Sequence, residues 1–212
     1  MARGAAASAG SVYAVHPSVA LLQKWVAGLK EKTGRTQEEW LALIKKDGPK
    51  GEKARLDWLK SKHKLGTNWA SWLAELAEGK TSEFSGPEAY LQAAVQYVES
   101  QYSGAKAGLR PVYDELLAIG KSLGDDVKVC PCRTIVPFYR QHVFAQIKAT
   151  TNSRVDLGLC LTAYKEKLPK RVIDTGGAAK KDRITHRIEI KDAGEIDGDV
   201  RKWLKVAYEL DG

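Results

Sequence analysis

Residues 127–148 read VKVCPCRTIVPFYRQHVFAQIK. β-Branched and aromatic side chains fill the stretch without a helical period, so it reads as strands. It divides into Val127–Arg133, Ile135–Arg140 and His142–Lys148, with very short joints. Such joints leave no room for a crossover, so neighbouring strands are expected to be hairpin-linked and antiparallel. The same stretch holds two of the three cysteines, two of the three phenylalanines, a histidine and four basic residues, which makes it the first place to look for a site.

Moving towards the C-terminus, Arg154–Leu161 continues the meander, and a long polar loop, about 163–182, separates it from a fifth strand, Arg183–Ile190. Ala193–Leu210 closes the chain as an amphipathic helix with Ile196, Val200, Trp203, Leu204 and Ala207 inward. Moving towards the N-terminus, Leu109–Leu123 carries Val112, Tyr113, Leu116, Leu117 and Ile119 at helical spacing and stops at Gly124. Pro87 opens an earlier helix, with Tyr90, Leu91, Ala94, Val95 and Val98 running towards Gln101. Residues 87–212 are therefore expected to be an α+β domain, an antiparallel sheet of about five strands packed on helices.

Residues 79–86, GKTSEFSG, are small and polar and read as a linker. Before it, residues 16–78 read as a small helical bundle carrying five tryptophans. Ser18 is expected to cap its first helix, Thr36 with Glu39 forms a capping box, and Thr67 is expected to cap the last. Residues 1–15 read as a disordered tail. The net charge is +8, and residues 1–80, with 14 basic and 8 acidic side chains, carry most of it. Lys45, Lys46, Lys50, Lys53, Lys60, Lys62 and Lys64 cluster there as a solvated face or a phosphate-facing surface. Three cysteines, two of them one residue apart, are not a disulfide framework and suit a reducing compartment. No apolar run is long enough for a membrane span, and the alanine-rich start lacks the apolar block of a signal peptide. A cytoplasmic protein is expected.

Side chains alternate across a strand. Alternation puts Val155, Leu157, Leu159 and Leu161 on one face with Val143, Ala145 and Ile147, and with Ile184, His186, Ile188 and Ile190. The other face should carry Arg140, Lys148, Arg154 and Arg187 beside Phe138 and Phe144. Cations among exposed rings suit single-stranded nucleic acid, because rings stack on bases while cations hold phosphates. The loop adds Lys180 and Lys181 within a segment, 163–183, that has four more positive than negative charges, and Gly176-Gly177 should make it flexible. Cys130 and Cys132 lie on one side of a strand, and with His142 or Cys160 they could approach a metal. The spacing is wrong for a zinc knuckle and no full ligand set is evident, so buried structural thiols are the expectation. Glu189-Ile190-Lys191 with Asp156 resembles the acid-x-lysine end of many nucleases, but the tripeptide is common by chance. No nucleophile elbow occurs, and Asp125 with Asp126 is too little for an acidic iron-binding ridge.

Two long phrases carry a family resemblance. Residues 16–75, HPSVALLQKWVAGLKEKTGRTQEEWLALIKKDGPKGEKARLDWLKSKHKLGTNWASWLAE, resemble a small bacterial helical domain of unknown function. Residues 109–148, LRPVYDELLAIGKSLGDDVKVCPCRTIVPFYRQHVFAQIK, with RVDLGLCL and THRIEI after them, resemble a second uncharacterised domain often joined to the first. The second is similar, more distantly, to YdhG-like and YjbR-like α+β families, which are linked to DNA binding or to a frataxin-like fold. The resemblance implies the α+β architecture and leaves the activity open. Together these readings lead to a non-enzymatic nucleic-acid-binding or adaptor protein. DNA or RNA is the expected partner, with a protein partner and the oligomeric state open, and no membrane and no cofactor are expected. The reading from another class is a small-ligand or metal-binding protein with a pocket near Cys130 and Cys132.

Overall fold

The computed structural model describes residues 11–80, 83 and 85–212. They form two compact units, residues 16–90 and residues 91–212 together with 11–15. Residues 81, 82 and 84 of the expected linker, and residues 1–10 of the expected tail, lie outside the described residues.

The first unit is helical. Its helices are α1, Pro17–Ala27; α2, Leu29–Thr33; α3, Gln37–Asp47; α4, Glu52–Ser61; and α5, Thr67–Ala77. His16 rather than Ser18 caps α1, its Nδ1 accepting from the Ser18 N–H at 3.0 Å, because Ser18 already has helical backbone. Gly28 separates α1 from α2, ending the one and opening the other. The capping box at Thr36 and Glu39 forms in both directions, at 3.2 and 2.7 Å. Gly66, not Thr67, is the cap of α5. Leu29, Trp40, Ile44, Leu59 and Leu73 are buried in one core. Trp25 stacks on Trp69 at 3.4 Å between centroids, so these rings serve packing.

The second unit begins along α6, Pro87–Gln101, and continues through α7, Arg110–Lys121, and α8, Gly198–Glu209. Its strands are β1, Lys128–Val129; β2, Val136–Tyr139; β3, Val143–Thr151; β4, Arg154–Leu159; β5, Ile173–Asp174; and β6, His186–Ile190. All pair antiparallel in one sheet of order β1-β2-β3-β4-β6-β5. The class is α+β, with six strands rather than about five. The extra strand, β5, lies inside the polar loop and pairs with β6 over only two residues, too few for a hydrophobic period to announce it.

Register explains the core. Ala145, Leu159 and His186 form one row across β3, β4 and β6; Ile147, Leu157 and Ile188 form the next; Ala149, Val155 and Ile190 the third. This face packs against Val112, Tyr113, Leu116 and Ile119 of α7 and Val200, Trp203, Leu204 and Ala207 of α8. Of the expected tail, residues 11–15 run beside the edge strand: Ala14 donates to the Val129 carbonyl at 2.8 Å and the Tyr13 and Tyr113 hydroxyls meet at 2.9 Å. No helix among the described residues is long and apolar enough to cross a membrane.

Candidate phosphate-binding cleft

The opposite sheet face is polar, as alternation requires. Lys148, Asp156 and Glu189 form one row, and Gln146, Gly158 and Arg187 the next. Arg154 reaches in from the start of β4. Its Nε lies 2.9 Å from Asp156 Oδ1 and its Nη1 3.1 Å from Glu189 Oε1. Arg187 Nη2 lies 2.9 Å from the same Glu189 oxygen, and Thr150 donates to Asp156 Oδ2 at 2.8 Å. Two guanidiniums thus face two carboxylates, and the expected arginines are neutralised where they stand. Lys148 is exposed and, among the described residues, without a carboxylate partner.

The aromatic part of the expected face does not exist. Phe138 and Phe144 are both 0% exposed and lie 6.1 Å apart in the core. Phe138 pairs with Ala145, which places it on the helix-covered face. Phe144 sits at a bulge, where the register shifts between Phe138 and Tyr139, and the extra residue turns its ring inward against Tyr208 of α8. Arg140 also leaves the group. Its guanidinium lies 4.4 Å over the Tyr208 ring and bonds Asp126 at 2.8 Å. Ile184 departs from the apolar face as well: it lies beside Gly158, while its neighbour Thr185 is buried and accepts from the Leu161 N–H.

Uncompensated charge gathers instead at one end of the sheet. A cleft of about 670 Å³ is lined by Lys165, Lys181, Asp182 and Arg183, with Cys160 and Thr162. A second cleft of about 430 Å³ shares Asp182 and Arg183 with it and reaches Gln146. The loop supplying the lysines is tied down locally. Asp174 accepts from the Gly176 N–H at 2.7 Å, Gly176 takes a φ of 69°, and the Gly177 carbonyl accepts from Lys180 and Asp182. Gly176-Gly177 thus builds a hydrogen-bonded turn. Lys165, Lys180 and Lys181 are exposed and carry no ion pair among the described residues.

Arg183 is held from behind. Its Nε donates to the Val143 carbonyl at 3.0 Å, and Nη2 meets Asp211 Oδ1 at 2.5 Å. The Asp211 side chain is only 3% exposed and also accepts the His142 N–H at 2.8 Å. Burial pushes its carboxyl up, but the His142 N–H and the Arg183 guanidinium outweigh burial and hold it below the usual range. Neither this anchoring role of Asp211 nor its reach to His142 has a sequence signal, since residues 142, 183 and 211 meet only through the fold.

The thiols are of another kind. Cys130 is buried, and burial, with Cys132 beside it, pushes its thiol up to about 12. Burial raises Cys132 as well. Both are therefore poor nucleophiles and poor thiolate ligands at neutral pH.

The family described as a domain of unknown function (DUF5655) matches residues 98–211, and a second, described as a domain of unknown function (DUF4287), matches residues 22–79. No curated protein and no solved structure matches the chain.

Proposed function

We propose, for a chain that belongs to the DUF5655 family, a non-enzymatic role in nucleic-acid binding through phosphates. The observation that carries it is the pair of unpaired lysines, Lys165 and Lys181, lining one cleft with the anchored Arg183, and Lys180 is exposed next to Lys181 in the chain. Lysines without carboxylate partners keep their full attraction for phosphate, whereas Arg154 and Arg187 have already spent theirs on Asp156 and Glu189. The helical unit supports the reading, since Lys45, Lys46, Lys50, Lys53, Lys60, Lys62 and Lys64 are all exposed there. Three free cysteines suit a reducing, cytoplasmic setting.

With Phe138 and Phe144 buried, the sheet face lacks the two rings that would have favoured single strands. Binding should therefore depend on backbone charge, with similar affinity for single-stranded and duplex oligonucleotides. Affinity should fall steeply with salt, and each of Lys165→Ala and Lys181→Ala should flatten the salt slope by about one unit. Fluorescence titrations at two or more salt concentrations measure both. Absence of binding to any oligonucleotide at low salt, with the fold intact, sinks the proposal.

A further inference from the structure

We infer that the cleft holding Lys165, Lys181 and Arg183 is a site for a phosphate monoester, carried either by the end of a nucleic-acid strand or by a free nucleotide. The inference rests on reading this cleft as the phosphate-binding part of the molecule. The number of donors separates a terminal phosphate from an internal one. Three cations and the Asp182 carboxylate line the cleft, and Asp211 pairs with Arg183 from behind, which leaves an excess of one positive charge and three separate donor groups. An internal phosphodiester presents two unbridged oxygens to these donors, while a monoester presents three.

The donors also differ in kind. Arg183 is fixed through Nε by Val143 and through Nη2 by Asp211, and Nη1 has no protein partner among the described residues. A planar guanidinium held from behind presents the remaining N–H groups in a set direction, which suits phosphate oxygens. Lys165 and Lys181 are exposed, mobile charges on long stems that can close on the same group from the loop side. Ala163, Ala178 and Leu210 give the cleft an apolar portion that can receive a sugar or base. The volume, about 670 Å³, lies within the range of small-molecule sites.

The test uses the full chain and fluorescently labelled oligonucleotides of one sequence, ending in a phosphate or in a hydroxyl, with adenosine monophosphate and adenosine as competitors. A phosphate-ended strand should bind about tenfold more tightly than its hydroxyl-ended twin, the value of one added charge-assisted contact. Adenosine monophosphate should displace it and adenosine should not. Lys181→Ala, an exposed change that leaves the core alone, should reduce the end preference, and Arg183→Gln should abolish it. If both strands bind equally and the nucleotide fails to compete, the monoester site is overturned while phosphate-directed binding stands. If the nucleotide binds and no oligonucleotide does, the monoester site stands as a nucleotide site and the nucleic-acid function falls. If nothing binds, both fall.

Discussion

Asp211 is the residue through which pH should act. Its folded carboxyl titrates below the ordinary value of 3.8, so the folded state favours the charged form. The stabilisation it brings is present above that ordinary value and is lost as pH falls through the lower, folded one. Urea midpoints followed from about pH 6 down to about pH 2.5 should show an acid-dependent loss that shrinks in Asp211→Asn. At about pH 7 the variant should be weaker by roughly 1–3 kcal/mol, because it leaves Arg183 and the His142 N–H poorly matched in a nearly closed position. An identical acid profile in the two proteins would assign the loss to other carboxylates. The same residue scale explains the expected arginines. Whether a cation is available to a ligand depends on its neighbours: alternation already sets Asp156 beside Arg154 and Glu189 beside Arg187, two residues apart on one face, while the cross-strand pair of Arg154 with Glu189 shows only in the fold.

At the scale of elements, alternation served well along β4 and β6. It placed Val155, Leu157 and Leu159 of β4 inward and Arg154 and Asp156 outward, as found. It misplaced Phe138, which stands in register with Ala145, because alternation alone does not phase β2 against β3; two further failures lie at irregularities, the bulge that turns Phe144 inward and the chain before β6, where Ile184 lies over Gly158. Each shifts a side chain by one position, which with a period of two exchanges the faces. The packing of α7 on β2 gives an element-scale test. Gly120 lies on α7 directly above Phe138, and a Cβ there would sit 2.7 Å from Phe138 Cζ and nearer still to Cε1. Phe138 is fully buried and has no room to swing away. Gly120→Ala should thus overpack the interface at a cost of roughly 1–3 kcal/mol, only partly offset by about 1 kcal/mol of helix propensity. The urea midpoint should fall; a rise would mean that helix and sheet can separate freely.

At the scale of the whole molecule, two units with separate cores should unfold separately. Five of the six tryptophans, Trp25, Trp40, Trp58, Trp69 and Trp72, lie in the helical unit, and only Trp203 lies in the other. Tryptophan fluorescence should therefore follow mainly the helical unit, while far-ultraviolet circular dichroism follows both. The two denaturation curves should not coincide; coincident curves would show one cooperative unit. The amino-acid sequence by itself determined the helical stripes, the capping box at Thr36, the antiparallel strands around residues 127–148 and the α+β class. These depend on local periodicity, and local periodicity is written along the chain. Only the tertiary structure decided that Phe138 and Phe144 are core, that Arg140 lies on Tyr208, and that Lys165, Lys181 and Arg183 share a cleft anchored by Asp211. Those outcomes rest on a bulge, on cross-strand ion pairs and on contacts between residues far apart in the chain, and none of these has a period to read.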